Sequence, residues 1–224
     1  MRIVVDCANG SASAVAPALL SRLGADVTAI NAEPDGVNIN DGCGALHPEV
    51  VAEAVVRLGA DAGVSHDGDA DRALFADASG RVVNGDAVLL LTARDLKARN
   101  RLNGNIVVAT TMSNMGLEAA LRRDSIKMLR APVGDKYVLE MMQAHSASLG
   151  GEQSGHILFP HLATTGDGLL TALVVLDLVR RSGKPLHELI ADLKVFPQTI
   201  VNVRVKEKKP LDEIATVAAS IRAA

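Results

Sequence analysis

The chain has 224 residues, 48% of them apolar and 22% charged, enough to bury a sizeable core in one or two globular domains. A net charge of −3 leaves no basic footprint for nucleic acid, and 2% aromatics, with no Trp, supply no base-stacking platform. Two cysteines, Cys7 and Cys43, are too few for a disulfide scaffold and are expected as reduced thiols in a cytoplasmic protein.

RIVVD (2–6) reads as a short buried strand, and Asp6 ends its apolar run too early for a signal peptide. A Gly/Ser turn leads to a helix in AVAPALLSRLG (14–24), a strand in ADVTAI (25–30), a helix in PEVVAEAVVRLG (48–59) and a strand in ADAGVS (60–65). RALFAD (72–77) and RVVNG (81–85), joined by ASG, read as a hairpin, and DAVLLLTARDLKARN (86–100) as a long helix. The pattern then restarts. NIVVAT (105–110) is a strand, 113–123 a helix with Ser113 as its expected cap, and IKMLRA (126–131) a strand. GDKYVLEMMQAH (134–145) is a helix, and SASLGGE (146–152) carries a short strand into a glycine turn. DGLLTALVVLDLVRRSG (167–183) is apolar almost all round, which places it between layers; its apolar run falls short of the roughly 20 residues that span a bilayer. Beyond Pro197, QTIVNVRVKEKK (198–209) alternates like a half-exposed strand, and PLDEIATVAASIRAA (210–224) opens a helix.

This alternation predicts an α/β fold: two similar three-layer α/β domains with mixed, mostly parallel sheets, plus a partial third unit at the C-terminus. A weak internal repeat agrees, since Ile3-Val4-Val5 and Ile106-Val107-Val108 each open a strand–turn–helix unit, and LLSR (19–22) is answered by ALRR (120–123). The expected divisions are 1–83, 84–196 and 197–224.

The stretch SHDGDADR (65–72) concentrates charge that no fold needs for stability. Asp67, Asp69 and Asp71 alternate with Gly68 and Ala70, so the backbone can bend tightly and bring three carboxylates together. They repel one another unless a cation or an arginine neutralises them, and a hard divalent cation with oxygen ligands suits them. An EF-hand is ruled out, because Arg72 and Ala78 stand where it needs Gly and Glu. A phosphatase with an aspartyl nucleophile stays open, although Ser65-His66 replaces its apolar lead-in and Asp71 its Thr/Val.

DGDADR (67–72) resembles the metal loop of the α-D-phosphohexomutases, and GEQSGH (151–156) is similar to that family's sugar-binding loop. PDGVNINDGCGALHPE (34–49), RAPVGDKYV (130–138) and TTGDGLLTAL (164–173) resemble the phosphoglucosamine mutase subgroup. The resemblance implies Mg²⁺ held by Asp67, Asp69 and Asp71 beside a phosphoserine, with Arg72 in the catalytic loop. It also implies a hexosamine phosphate substrate gripped by Glu152 and Ser154. Gly134, Asp135 and Lys136 open a helix and either meet the substrate phosphate or, through Asp135, cap the helix. Asp167 is read as a cap, His156 as a structural hydrogen-bonding residue, and CANGSAS (7–13) is assigned no ligand.

The family's Ser-His-Asn-Pro phosphoserine segment and its Arg…Ser-Gly-Thr-Glu-Pro phosphate clamp have no counterpart in these 224 residues. The resemblance therefore implies a fragment of a mutase, inactive alone. The rival expectation is a non-catalytic metal- or sugar-binding module. Neither nucleic acid nor membrane is an expected partner, and apolar area bared between domains allows a homo-oligomer.

Overall fold

The computed structural model describes residues 1–199, 201, 204–205 and 210–223. Short branched runs form the strand centres, and helices carry the chain back to start each new parallel strand. β1 (Arg2–Asp6) lies between parallel neighbours β2 (Asp26–Ile30) and β3 (Ala62–His66). Antiparallel β4 (Ala73–Asp77) and β5 (Val82–Val83) complete the order β2-β1-β3-β4-β5. The second sheet repeats the scheme. β6 (Ile106–Thr110) lies between parallel β7 (Lys127–Ala131) and β8 (Gly150–Gly151), and antiparallel β9 (Ile157–Leu158) closes the order β7-β6-β8-β9. The repeated apolar triplets are the centres of β1 and β6, which hold equivalent places in the two sheets.

The helices are α1 (Ala16–Arg22), α2 (Pro48–Leu58), α3 (Gly85–Ala98), α4 (Met115–Arg123), α5 (Asp135–His145), α6 (Gly168–Ser182), α7 (Leu186–Leu189) and α8 (Ala215–Ala223). Successive strand residues point to opposite faces, and that parity sorts the core. Val4 and Ala76 turn towards α2 and meet Val51, Ala52 and Val55. Ile3, Val5, Val64 and Phe75 turn the other way, into a larger core with α1, α3 and α6. In the second sheet Val108 and Leu158 meet Val138 and Met142 of α5. Val107, Ala109 and Ile157 face Leu117 and Leu121 of α4 and belong to the same larger core. The two three-layer units thus share their middle layer of α1, α3, α4 and α6. Helix α6 touches β3, β4 and α3, which explains its nearly continuous apolar surface.

Local details depart from the sequence expectations. Ser113 does not cap α4; its N–H closes a turn onto the Thr110 carbonyl, so the helix starts later and the Asn114 side chain accepts the Gly116 N–H at 2.9 Å. The helix expected over 14–24 divides into a 3-10 turn, Ser11–Ala14, and α1, whose first turn accommodates Pro17 because its N–H would be unpaired there. The strand expected over 198–209 falls mostly outside the described residues, and the final helix begins at Ala215 after a 3-10 turn, Leu211–Glu213.

Both cysteines are buried and free, and burial, helped by the Asp6 charge, pushes the Cys7 thiol up to about 12. Arg94 of α3 grips both Asp192 carboxylate oxygens, at 2.8 and 2.7 Å, and Arg123 reaches the same group at 2.9 Å. The Arg94 hydrogen bonds, then that from Arg123, hold the Asp192 carboxyl well below its ordinary range. A depressed carboxyl stabilises the fold above its unfolded pKa, about 3.9, and that contribution drains away as the pH falls below it. Asp192→Asn is therefore expected to lower the urea midpoint at pH 7, by a gap that narrows as the pH falls below about 3.9. The gap stays small, because the pair is half exposed and screened. An equal gap at pH 7 and pH 2 counts against this role.

Candidate metal centre and the turn beside it

Asp67 follows directly on β3, and the loop turns at once: the Ala70 N–H donates to the Asp67 carbonyl at 3.0 Å, with Ala70 itself at φ +60°. That turn gathers one carboxylate oxygen each from Asp67, Asp69 and Asp71 within 4.8 Å of one another. Asp67 is buried, Asp71 half-buried and Asp69 exposed, so the cluster opens to solvent on one side. Among the described residues it is the one group of three acidic, His or Cys side chains so arranged.

Arg72 braces the loop. Its backbone N–H donates to Asp67 Oδ1 at 3.2 Å, and its Nε lies 3.3 Å from Asp67 Oδ2 and 3.6 Å from Asp71 Oδ1. Behind it the fully buried His66 ring has Nδ1 2.9 Å from the Arg72 carbonyl oxygen. Burial holds the His66 pKa down, so the ring is neutral and Nδ1–H is the donor. The Ser11 N–H donates to the Gly68 carbonyl at 2.8 Å, so CANGSAS, expected to have no ligand, forms one wall of the loop. Asp6, fully buried, accepts the Ala8 and Gly44 N–H groups at 3.0 Å each and ties the long connection over 34–49 to the same strand ends.

The second loop abuts the first. The Ala73 N–H donates to the Gly155 carbonyl at 3.1 Å, and His156 Nδ1 lies 3.2 Å from Asp71 Oδ2. Gly155 takes φ +96°, open to glycine alone at low cost. Glu152 is held at both oxygens: Oε1 accepts the Gly134 N–H at 3.0 Å and Oε2 the Ser154 hydroxyl at 3.1 Å. The aspartates and the Glu152–Ser154 turn, some eighty residues apart in sequence, are thus neighbours.

Asp135 is not a cap. Gly134 occupies the N-cap of α5 with no side chain to offer, and Asp135 Oδ1 accepts only the adjacent Lys136 N–H, at 2.7 Å. Lys136 is exposed, its amine 3.9 Å from Glu140 Oε1. Asp167 does cap α6, accepting the Leu170 N–H at 2.9 Å. His66, and the part of His156 that meets Asp71, escaped the sequence reading; strand parity could have marked His66 as inward-facing.

The donor set suits a hard divalent cation. Asp71 Oδ1 is buried without a hydrogen-bond partner. Burial first, and then the Asp71 charge, push the Asp67 carboxyl above its ordinary range, with Arg72 compensating in part. A doubly positive ion answers both.

Comparison with known proteins places the chain. The model for the phosphoglucomutase/phosphomannomutase α/β/α domain II matches residues 1–80, and that for domain III of the same proteins matches 84–196. The chain belongs to the phosphoglucomutase/phosphomannomutase family. Within that family it is 60% identical to the phosphoglucosamine mutase of Koribacter versatilis, over 100% of this chain and 49% of that protein. It is 56% identical to that of Solibacter usitatus, over 99% and 50%. The chain thus spans about half the length of the curated relatives it matches. A phosphoglucomutase/phosphomannomutase family protein from Burkholderia thailandensis superposes with a TM-score of 0.76 at 27% identity, over 89% of this chain and 43% of that one. The N-acetylphosphoglucosamine mutase of Aspergillus fumigatus, solved with GlcNAc-6P and magnesium, shares the fold, with a TM-score of 0.72 at 22% identity over 92% and 52%. Family membership displaces the aspartyl-phosphatase reading of Asp67. Among the described residues no helix is long and apolar enough to cross a membrane.

Proposed function

We propose that the chain forms the metal-binding and sugar-binding domains of a phosphoglucosamine mutase, which interconverts glucosamine 6-phosphate and glucosamine 1-phosphate. The observation that carries this reading is the contact between the two loops, His156 to Asp71 and Ala73 to Gly155. It sets a cluster of hard oxygen ligands against a turn built to hydrogen-bond hydroxyls. The magnesium in the A. fumigatus structure and the names of the bacterial relatives support the same assignment.

In this reading Asp67, Asp69 and Asp71 hold Mg²⁺, which supplies charge neutralisation for the phosphoryl group being transferred. Arg72 keeps Asp67 and Asp71 in register and, being permanently charged, adds positive potential at the same place. Glu152 accepts and Ser154 donates or accepts hydrogen bonds from adjacent sugar hydroxyls, and the Gly134 N–H keeps Glu152 from turning away. At the start of α5, beside Gly134, the Asp135 backbone N–H and the exposed Lys136 amine meet the substrate phosphate, the Gly134 and Lys136 N–H groups being taken by Glu152 and Asp135. Neither Ser-His-Asn-Pro nor Ser-Gly-Thr-Glu-Pro occurs in these 224 residues, so in this reading the phosphoserine and the phosphate clamp are supplied by the enzyme from outside them. The divisions 1–83, 84–196 and 197–224 belong to this reading, and the matching strand orders of the two sheets support the first two.

The test is a chimaera in which this chain replaces the matching half of the K. versatilis enzyme. Magnesium-dependent conversion of glucosamine 6-phosphate, with glucose and mannose phosphates turned over more slowly, is expected; the chain alone is expected to give none. A chimaera that folds and prefers another hexose phosphate sinks the substrate assignment.

A further inference from the structure

Asp86, at the start of α3, is buried. One of its oxygens, Oδ2, accepts two hydrogen bonds: from Gln153 Nε2 at 3.0 Å and from the Asn114 backbone N–H at 2.8 Å. Gln153 lies inside the sugar-side turn. The Asn114 side chain grips the segment that follows α7. Its Oδ1 accepts the Phe196 N–H at 2.9 Å, while Nδ2 donates to the Phe196 carbonyl at 2.8 Å and to Gln198 Oε1 at 3.3 Å. That is the pairing of one strand residue with another, made by a side chain.

Both ends of this bridge are close-packed. A Cβ on Gly85 would overlap the Glu152 carbonyl oxygen, and one on Gly116 would overlap the Lys194 carbonyl oxygen. The Gly85 N–H also donates to the Gln153 carbonyl at 3.0 Å. Neither the turn nor the departing segment can shift without straining a buried carboxylate between them, and buried polar groups are costly to leave unpaired.

We infer that Asp86 is a positioning residue that couples the sugar-side turn, through Gln153, to the segment 194–198, through Asn114. The role of that turn rests on the function proposed above; the coupling itself does not. What the turn grips thereby biases how the segment 194–198 is held. Spatial adjacency alone is not coupling, so the test must perturb one end and read the other.

Amide hydrogen exchange on the chain itself does this. Gln153→Ala, a change at a half-buried position, is expected to speed exchange of the Asn114 and Phe196 N–H groups by about fivefold or more, while β1 and β6 stay protected. Reciprocity requires Asn114→Ala to do the same at Glu152 and Gly155. Asp86→Leu should release both ends, and Asp86→Asn, whose remaining oxygen still accepts both bonds, should restore protection to near the wild-type level. Effects of Gln153→Ala confined to residues 150–156, or an Asp86→Asn variant as exposed as Asp86→Leu, overturn the inference. Repeating the exchange with Mg²⁺ and glucosamine 6-phosphate separates the two readings. Added protection at Phe196 supports the coupling, and protection at Glu152 that stops short of Asn114 overturns it. An absence of any protection counts against the assigned ligand, while the ligand-free variants still decide the coupling.

Discussion

Asp67→Asn is expected to leave the fold intact and to weaken Mg²⁺ binding by about a hundredfold or more, equivalent to roughly 2.7 kcal/mol. Asp67 is the buried member of the cluster, 7% exposed, so the charge it loses is the least screened of the three. Without metal the melting temperature should hardly move, because the substitution removes a repulsion with Asp71 and an attraction to Arg72 together. With metal the two proteins part. At a hundred times its Kd a ligand stabilises the fold by about 2.7 kcal/mol, or roughly 5–11 °C for a chain of this length. The wild type should show that rise on addition of Mg²⁺ and the variant should not. Equal rises in both would mean that the cation binds elsewhere. Asp69→Asn should fall between them, because Asp69 is exposed and water competes for its place.

Gly85→Ala is expected to destabilise the chain by roughly 3 kcal/mol, at the upper end for overpacking by one methyl group. The added Cβ would overlap the Glu152 carbonyl oxygen and lie 2.9 Å from the Gly155 nitrogen and 3.0 Å from the Gln153 carbonyl carbon. Every one of these is backbone, so no side chain can swing aside. Either α3 or the turn must move, and movement of the turn takes Glu152 away from the Gly134 N–H. Loss of sugar-phosphate binding should therefore accompany the loss of stability. Gly183→Ala is the control: at φ +64° with nothing within 4 Å, it should cost only about 1 kcal/mol. Urea midpoints for the two variants decide the matter, and equal shifts would dismiss the steric account.

The fold was legible where burial imposes a period. β1 and β6 are runs that only a doubly covered strand tolerates, and α6, apolar on nearly every side, announced a helix between layers. What the pattern could not carry was that α6 packs on the first sheet while lying in the second half of the chain. That depends on the shared middle layer, a fact about two sheets at once. Two-residue strands such as β8 and β9 leave no period to read, and two adjacent residues able to cap, Ser113 and Asn114, left the start of α4 ambiguous by one position; Asn114 takes it. At the site, the aspartates were conspicuous because three like charges at alternate positions are hard to explain otherwise. His66, which closes the loop from behind, and Asp86, which bridges two distant loops, were not. His66 meets a backbone carbonyl six residues on, which no side-chain pattern marks, and the partners of Asp86 lie far along the chain, where spacing says nothing.

The most direct measurement is anomalous diffraction from crystals soaked in Mn²⁺ as a stand-in for Mg²⁺. The expected result is one strong peak among the carboxylates of Asp67, Asp69 and Asp71, on the side of the loop that faces Asp71 and His156. A saturating soak that leaves those carboxylates without a peak, or that places the ion elsewhere, contradicts the assignment of the loop as a metal centre.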